Sequence, residues 1–129
     1  MTITEDRVRA AAAEIVAAFG SHDALRYFDG FAVDATFIFY STPQRLESRA
    51  AYETLWATWE TENRFRVLGC ISTNHHVQTG DSFGIFTNDV ETTVEMDGLV
   101  DTMRERETIV FEKRGSRWLA VHEHLSQRP

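Results

Sequence analysis

Apolar positions near the start of the chain recur with a helical period. Val8, Ala12, Ile15 and Phe19 form one stripe, which predicts a first helix. Thr4 can cap it, Glu5 and Asp6 suit its positive first turn, and Gly20 ends it. A short second helix is expected from about His22 to Asp29, burying Leu25 and Phe28. The period then changes to that of a strand. Asp34 to Tyr40 is rich in β-branched and aromatic residues. Ser41-Thr42-Pro43 turns it, and Gln44 to Glu47 reads as a short return strand. Ser48 caps a third helix reaching about Asn63, with Ala51, Leu55 and Trp59 in its stripe and Tyr52 and Trp56 beside them.

The second half reads as four strands. They run from Arg66 to Gln78 with a bulge at Gly69, from Phe83 to Met96, from Leu99 to Lys113, and from Trp118 to Ser126. Asp97-Gly98 is a two-residue hairpin signal. Helices segregated from a run of antiparallel strands mean α+β. No linker, repeat or low-complexity stretch interrupts residues 1–129, so one domain is expected.

Strand side chains alternate between faces. In the last strand Leu119, Val121 and Leu125 share a face with Glu123, while Trp118, Ala120, His122, His124 and Ser126 share the other. In the preceding strand Ile109 and Phe111 share a face with Glu107 and Glu105. In the strand before, the face carrying Phe83 and Ile85 continues through Thr87, Asp89 and Glu91. Turning the aliphatic faces inward therefore brings Glu123, Glu107 and Glu105 toward the interior, with Asp89 on the continuing face of the earlier strand. A buried acid needs a partner, water or a cavity. Pairing with Arg104 or Arg106 is the plainer outcome. A cavity would raise the acid's pKa and suit it to proton transfer.

Composition narrows the function. Of 129 residues, 43% are apolar and 26% charged, as in ordinary globular domains. Acidic residues outnumber basic ones by 20 to 13, leaving a net charge of −7, which argues against nucleic-acid and anionic-membrane partners. The lone Cys70 points to a reducing, cytoplasmic setting, and no signal peptide or membrane span is read. No Ser-His-Asp order, phosphate loop or Cys-x-x-Cys pair is present, so no cofactor is implied. His122 and His124 have spacing that could hold a metal, but they lie on the face turned outward, so no metal site is expected. His75 and His76 point to opposite faces, so only one could enter a pocket.

Trp118 to Ser126 resembles the W-x-x-V-H-x-H-x-S ending of SnoaL-like domains, within the nuclear-transport-factor-2-like superfamily. The association domain of calcium/calmodulin-dependent protein kinase II ends similarly, and Tyr52-Glu53-Thr54-Leu55-Trp56 is similar to its aromatic-E-x-L-W segment. Phe31-Ala32-Val33-Asp34-Ala35-Thr36 resembles the strand entry of ketosteroid-isomerase-like proteins. The resemblance implies a cystatin-like curved antiparallel sheet. That sheet would wrap round an N-terminal helix pair and a third helix, as a cone with one central pocket. It also implies a homodimer through the outer sheet face, where Trp118, His122, His124, Val110 and Thr108 are expected. The isomerase's general base falls on Phe39 and its oxyanion tyrosine on about Ile15, so that mechanism is not implied. The association domain's pocket arginines fall on Asp89, Ile109 and Leu125, whereas its pocket tryptophan matches Trp56.

Two functions are consistent with these readings. One is cofactor-independent acid/base chemistry, an isomerase, cyclase or lyase, on an apolar or aromatic substrate. Asp89, Glu123 and Glu107 would carry protons, and Trp56, Tyr40, Phe39, Tyr52, Ile109 and Leu125 would hold the substrate. The other is a non-catalytic ligand-binding or oligomerisation module. A pocket filled by side chains with every inward acid salt-bridged would favour the second.

Overall fold

The computed structural model describes residues 2–129. Helix α1 spans Ile3–Gly20 and α2 Ala24–Asp29, followed by strand β1, Phe31–Phe39, and helix α3, Arg49–Asn63. Strands β2 to β5 then span Arg66–Thr79, Phe83–Met96, Leu99–Arg114 and Arg117–Gln127. The N-cap of α1 is Thr2, not Thr4: its hydroxyl accepts from the Glu5 amide. Ser48 caps α3 as expected, accepting from the Ala51 amide. In α2, Leu25 is 88% exposed and Tyr27 joins Phe28 in the core. A six-residue helix buries little more than one side, and the adjacent aromatic pair occupies it.

The strands form one sheet in the order β1-β5-β4-β3-β2. β2 to β5 make the expected antiparallel meander, while β1 joins at the edge parallel to β5. The chain leaves β1, crosses through α3 to the far edge, and returns strand by strand. A parallel neighbour requires such a long crossover. The return strand expected over Gln44 to Glu47 is reduced to one bridge between Phe37 and Leu46.

Besides a register shift between Phe31 and Thr36 where β1 meets β5, three irregularities bend the antiparallel part of the sheet. One lies between Val67 and Gly69, where a bulge is expected, and one between Thr73 and His76, with Asn74 at a positive φ of 57°. The third is in β5. Val110 faces His122 and Phe111 faces Ala120, so Val121 is an extra residue. Alternation therefore reverses across Val121. Trp118 and Ala120 turn inward before it, and Glu123 and Leu125 after it. The expected inward placement of Leu119 and Val121, and the outward placement of Trp118, are thus corrected.

The helices pack on the concave face. Val8 of α1, Phe31 and Phe37 of β1, Trp56 of α3, and Ile109 and Phe111 of β4 are fully buried. His22, at φ 56°, ties the α1–α2 corner to its surroundings. The Val67 amide donates to its Nδ1 at 2.9 Å, so Nε2 carries the proton and donates to Glu60 at 2.8 Å. Its ring stacks on Trp56 with centroids 5.0 Å apart. At Gly84 the sheet meets α1 with no room for a side chain, because a Cβ there would run into the methyls of Val8. Gly84→Ala is expected to cost about 1–3 kcal/mol through overpacking. Urea denaturation would check it, and a loss near zero would mean that α1 shifts freely over the sheet. Among the described residues no helix is long and apolar enough to cross a membrane.

Candidate active site

A cavity of about 1000 Å³ lies between the concave face and the helices. Ile15 and Phe19 of α1, Tyr27 of α2, and Tyr52, Leu55 and Trp59 of α3 form one side. The sheet side carries Val90, Thr92, Glu105, Glu107, Glu123 and Leu125. Tyr40 to Pro43 and the exposed β3–β4 hairpin residues Leu99 and Val100 frame the mouth.

Of the residues singled out above, Phe39, Tyr40, Tyr52, Leu125, Glu107 and Glu123 line this cavity. Ile109 and Trp56 do not. Ile109 packs in the core beneath the wall, and Trp56 stands behind Tyr27 and Tyr52, with centroids 5.5 and 6.2 Å away. Asp89 is on the wrong face altogether. The inward side of β3 carries Gly84, Phe86, Asn88, Val90, Thr92 and Val94, and Asp89 points outward to Arg128 at 3.3 Å. The turn holds the reason. Met96 faces Leu99 across Asp97-Gly98, and counting back places Asn88 opposite Glu107. Once Glu107 faces inward, Asn88 must face inward too.

The three inward glutamates have no arginine or lysine partner among the described residues. Arg104 instead pairs with Glu91 at 3.5 Å, and the expected pairing of Glu107 or Glu123 with Arg104 or Arg106 is absent among those residues. Glu105 accepts a short hydrogen bond, 2.6 Å, from the Tyr40 hydroxyl. Asn88 Nδ2 donates to Glu107 Oε1 at 3.1 Å. The Ser72 hydroxyl fixes that amide by donating to Asn88 Oδ1 at 2.6 Å. With its proton so directed, Ser72 accepts from His75 Nε2, 2.9 Å away. Sequence reasoning missed Asn88 and Tyr27. The hairpin register could have found the first, and the adjacent aromatics of α2 the second.

Glu123 is the most unusual group. It is 3% exposed, and its Oε1 has no hydrogen-bond partner among the described residues. Burial pushes its pKa well up, the neighbouring Glu107 adds to this, and the Tyr27 hydroxyl opposes it. Burial also raises Glu105, against the Tyr40 hydrogen bond. Tyr27 and Tyr52, whose hydroxyls are 3.0 Å apart, are raised by burial and then by the charge of Glu123. Burial drives the Cys70 thiol to about 12, which keeps it protonated and unreactive.

The two histidine pairs lie away from this wall. His122 Nδ1 meets the Thr36 hydroxyl at 2.8 Å, and burial lowers the pKa of His122. His124 is exposed, and His75 rests against Phe86 with centroids 5.1 Å apart. Among the described residues no three His, Cys, Asp or Glu side chains gather as a metal ion would require.

The sequence pattern of the SnoaL-like domain matches residues 8–129. No curated protein matches the chain. Solved structures show the same fold. A Xanthomonas campestris protein described as a candidate calcium/calmodulin dependent protein kinase II association domain is 21% identical. It superposes with a TM-score of 0.77, over 95% of this chain and 86% of its own. A ketosteroid isomerase-like protein from Erwinia carotovora atroseptica is 15% identical, with a TM-score of 0.82 over 100% and 99% of the two chains. A nuclear-transport-factor-2-like protein from Cytophaga hutchinsonii is 12% identical, with a TM-score of 0.81 over 99% and 100%.

Proposed function

The chain belongs to the SnoaL-like domain family, and on that footing we propose that it is a cofactor-independent enzyme moving protons on an apolar small molecule. The fold family includes both isomerases and non-catalytic modules, so the choice rests on the site. One observation carries it: the buried Glu123 on the wall of an open aromatic cavity, with one oxygen unpartnered and no cation beside it among the described residues.

Protonated Glu123 is the acid. Glu107, held by Asn88, is the base. Two neighbouring carboxyls in a dry wall cannot both ionise cheaply, so one holds a proton while the other accepts one. Phe39, Tyr40, Tyr52 and Leu125 enclose the substrate. Isomerisation, cyclisation and elimination each need such a donor and acceptor a short distance apart.

A nitrobenzisoxazole tests this reading. It is neutral, aromatic and ring-opens to a coloured phenolate when a base removes its ring proton. The protein should accelerate this over an equal concentration of acetate. Glu107→Gln should lower the rate on the order of 100-fold, as expected for loss of a positioned base. Asp89→Asn should leave it unchanged. A rate no better than acetate, or one equal in the Glu107 and Glu123 variants, would remove the acid–base assignment.

The non-catalytic reading draws support from the likeness to the association-domain structure, which reaches the fold alone. An open cavity with unpaired acids supports the enzyme instead. A homodimer through the outer sheet face is also proposed. Ile38, Ile71, Ile85 and Val110 stand on that face, beside His122. Sedimentation showing only monomer at micromolar concentration would reject it.

A further inference from the structure

We infer that the natural ligand of the cavity is an organic cation: an apolar, ring-bearing body carrying a protonated nitrogen. This rests on the reading of the cavity as a small-molecule site and adds the charge of its occupant.

The cavity is strongly one-signed. Glu105, Glu107 and Glu123 line its wall, and Asp97 and Asp101 its mouth, whereas no lysine or arginine lines it among the described residues. At the rim, exposed Arg64 lies 3.9 Å from Asp97. Deeper in, an anionic ligand would meet three glutamates with no lysine or arginine beside them among the described residues. A neutral apolar ligand would seal Glu123 Oε1 into a dry wall without a partner, the costly state for a buried polar atom. A protonated nitrogen removes both problems, because its N–H groups can donate to that oxygen while its charge offsets the carboxylates.

The rest of the lining suits the same ligand. Tyr27, Phe39, Tyr52, Trp59 and Phe65 present rings to the cavity. Ring faces attract cations while tolerating an apolar body. A bare metal ion is the poorer fit, since no three ligating side chains gather round one point among the described residues. The volume of about 1000 Å³ is also far larger than an ion requires. The net charge of −7 draws cations toward the protein as a whole.

Three matched probes decide the matter: naphthylmethylammonium, naphthylmethanol and naphthoate, titrated calorimetrically into the intact protein. The ammonium should bind at least about tenfold more tightly than the alcohol, with the carboxylate weakest. Glu107→Gln, which removes the base of the pair, should bring the first two within about twofold of each other while sparing the affinity for the alcohol. Glu123→Gln, which alters the oxygen that accepts the ligand N–H, serves as a second variant, and circular dichroism confirms that both are folded. Equal binding of ammonium and alcohol, or a preference surviving both variants, overturns the inference. So does failure of all three probes to bind. If the nitrobenzisoxazole reaction persists in that case, the acid–base reading stands and only the ligand class falls. A clear ammonium preference with no nitrobenzisoxazole reaction would do the reverse.

Discussion

Replacing Trp56 with alanine is expected to cost about 3–5 kcal/mol of stability, the usual loss for a large aromatic removed from a core. That is a large part of the 5–15 kcal/mol typical of a domain. Trp56 is 2% exposed and meets Phe19, Phe28, Phe65, Tyr27 and Tyr52 within 6.2 Å, with His22 stacked on its face. Its removal leaves a void joining all three helices to the start of β2. The melting temperature should fall by roughly 10–20 °C. Trp56→Phe should cost far less, because it keeps part of the volume and deletes an indole N–H that is buried without a partner among the described residues. Thermal and urea unfolding would measure both. A loss below about 1 kcal/mol for the alanine variant would mean that Trp56 belongs to the cavity wall, not to the core.

Glu123→Gln should have the opposite effect on stability, and only on one side of the pH scale. The folded state holds the Glu123 proton to higher pH than the unfolded chain does, because burial and Glu107 disfavour its charge. Below the ordinary carboxyl range both states are protonated and the group costs nothing. Above that range the folded state binds more protons, so stability falls as pH rises. Glutamine is neutral throughout and removes that fall. At about pH 8 the variant should gain about 1–3 kcal/mol, the cost of an unsatisfied buried group, and melt roughly 5–10 °C higher. At about pH 4 the two proteins should melt within a few degrees of each other. Identical melting curves at both pH values would show that Glu123 is not desolvated. A variant that is more stable yet slower on the nitrobenzisoxazole would show stability given up for chemistry.

Much of the fold was legible because its signals are local. Hydrophobic period and the Asp97-Gly98 turn place β3 at Phe83–Met96, as observed. Ser48 marks the start of α3 in the same way. The cavity acids on β4 were legible because its alternation is unbroken through Glu105, Glu107, Ile109 and Phe111. On β3 both faces open with apolar residues, Phe83 and Ile85 against Phe86 and Val90, so polarity alone could not choose between them. The choice needed the pairing with β4, a non-local fact. On β5 the extra residue is Val121, a β-branched residue with no glycine or proline to betray a bulge. Alternation carried from Leu119 and Val121 therefore puts Glu123 inward by way of a face that the bulge turns away from the interior.

That single residue also decides what kind of chemistry the strand can offer. Trp118 and Ala120 point inward, and an unbroken alternation from them would carry His122 and His124 to the cavity and send Glu123 to the surface. Counting one residue more or less in β5 exchanges a carboxyl wall for an imidazole wall without altering any side chain. A chain of this kind can thus change its reactive groups by a length mutation. Comparing relatives position by position would miss such a change unless the count of residues between the position of Trp118 and the strand end were compared as well.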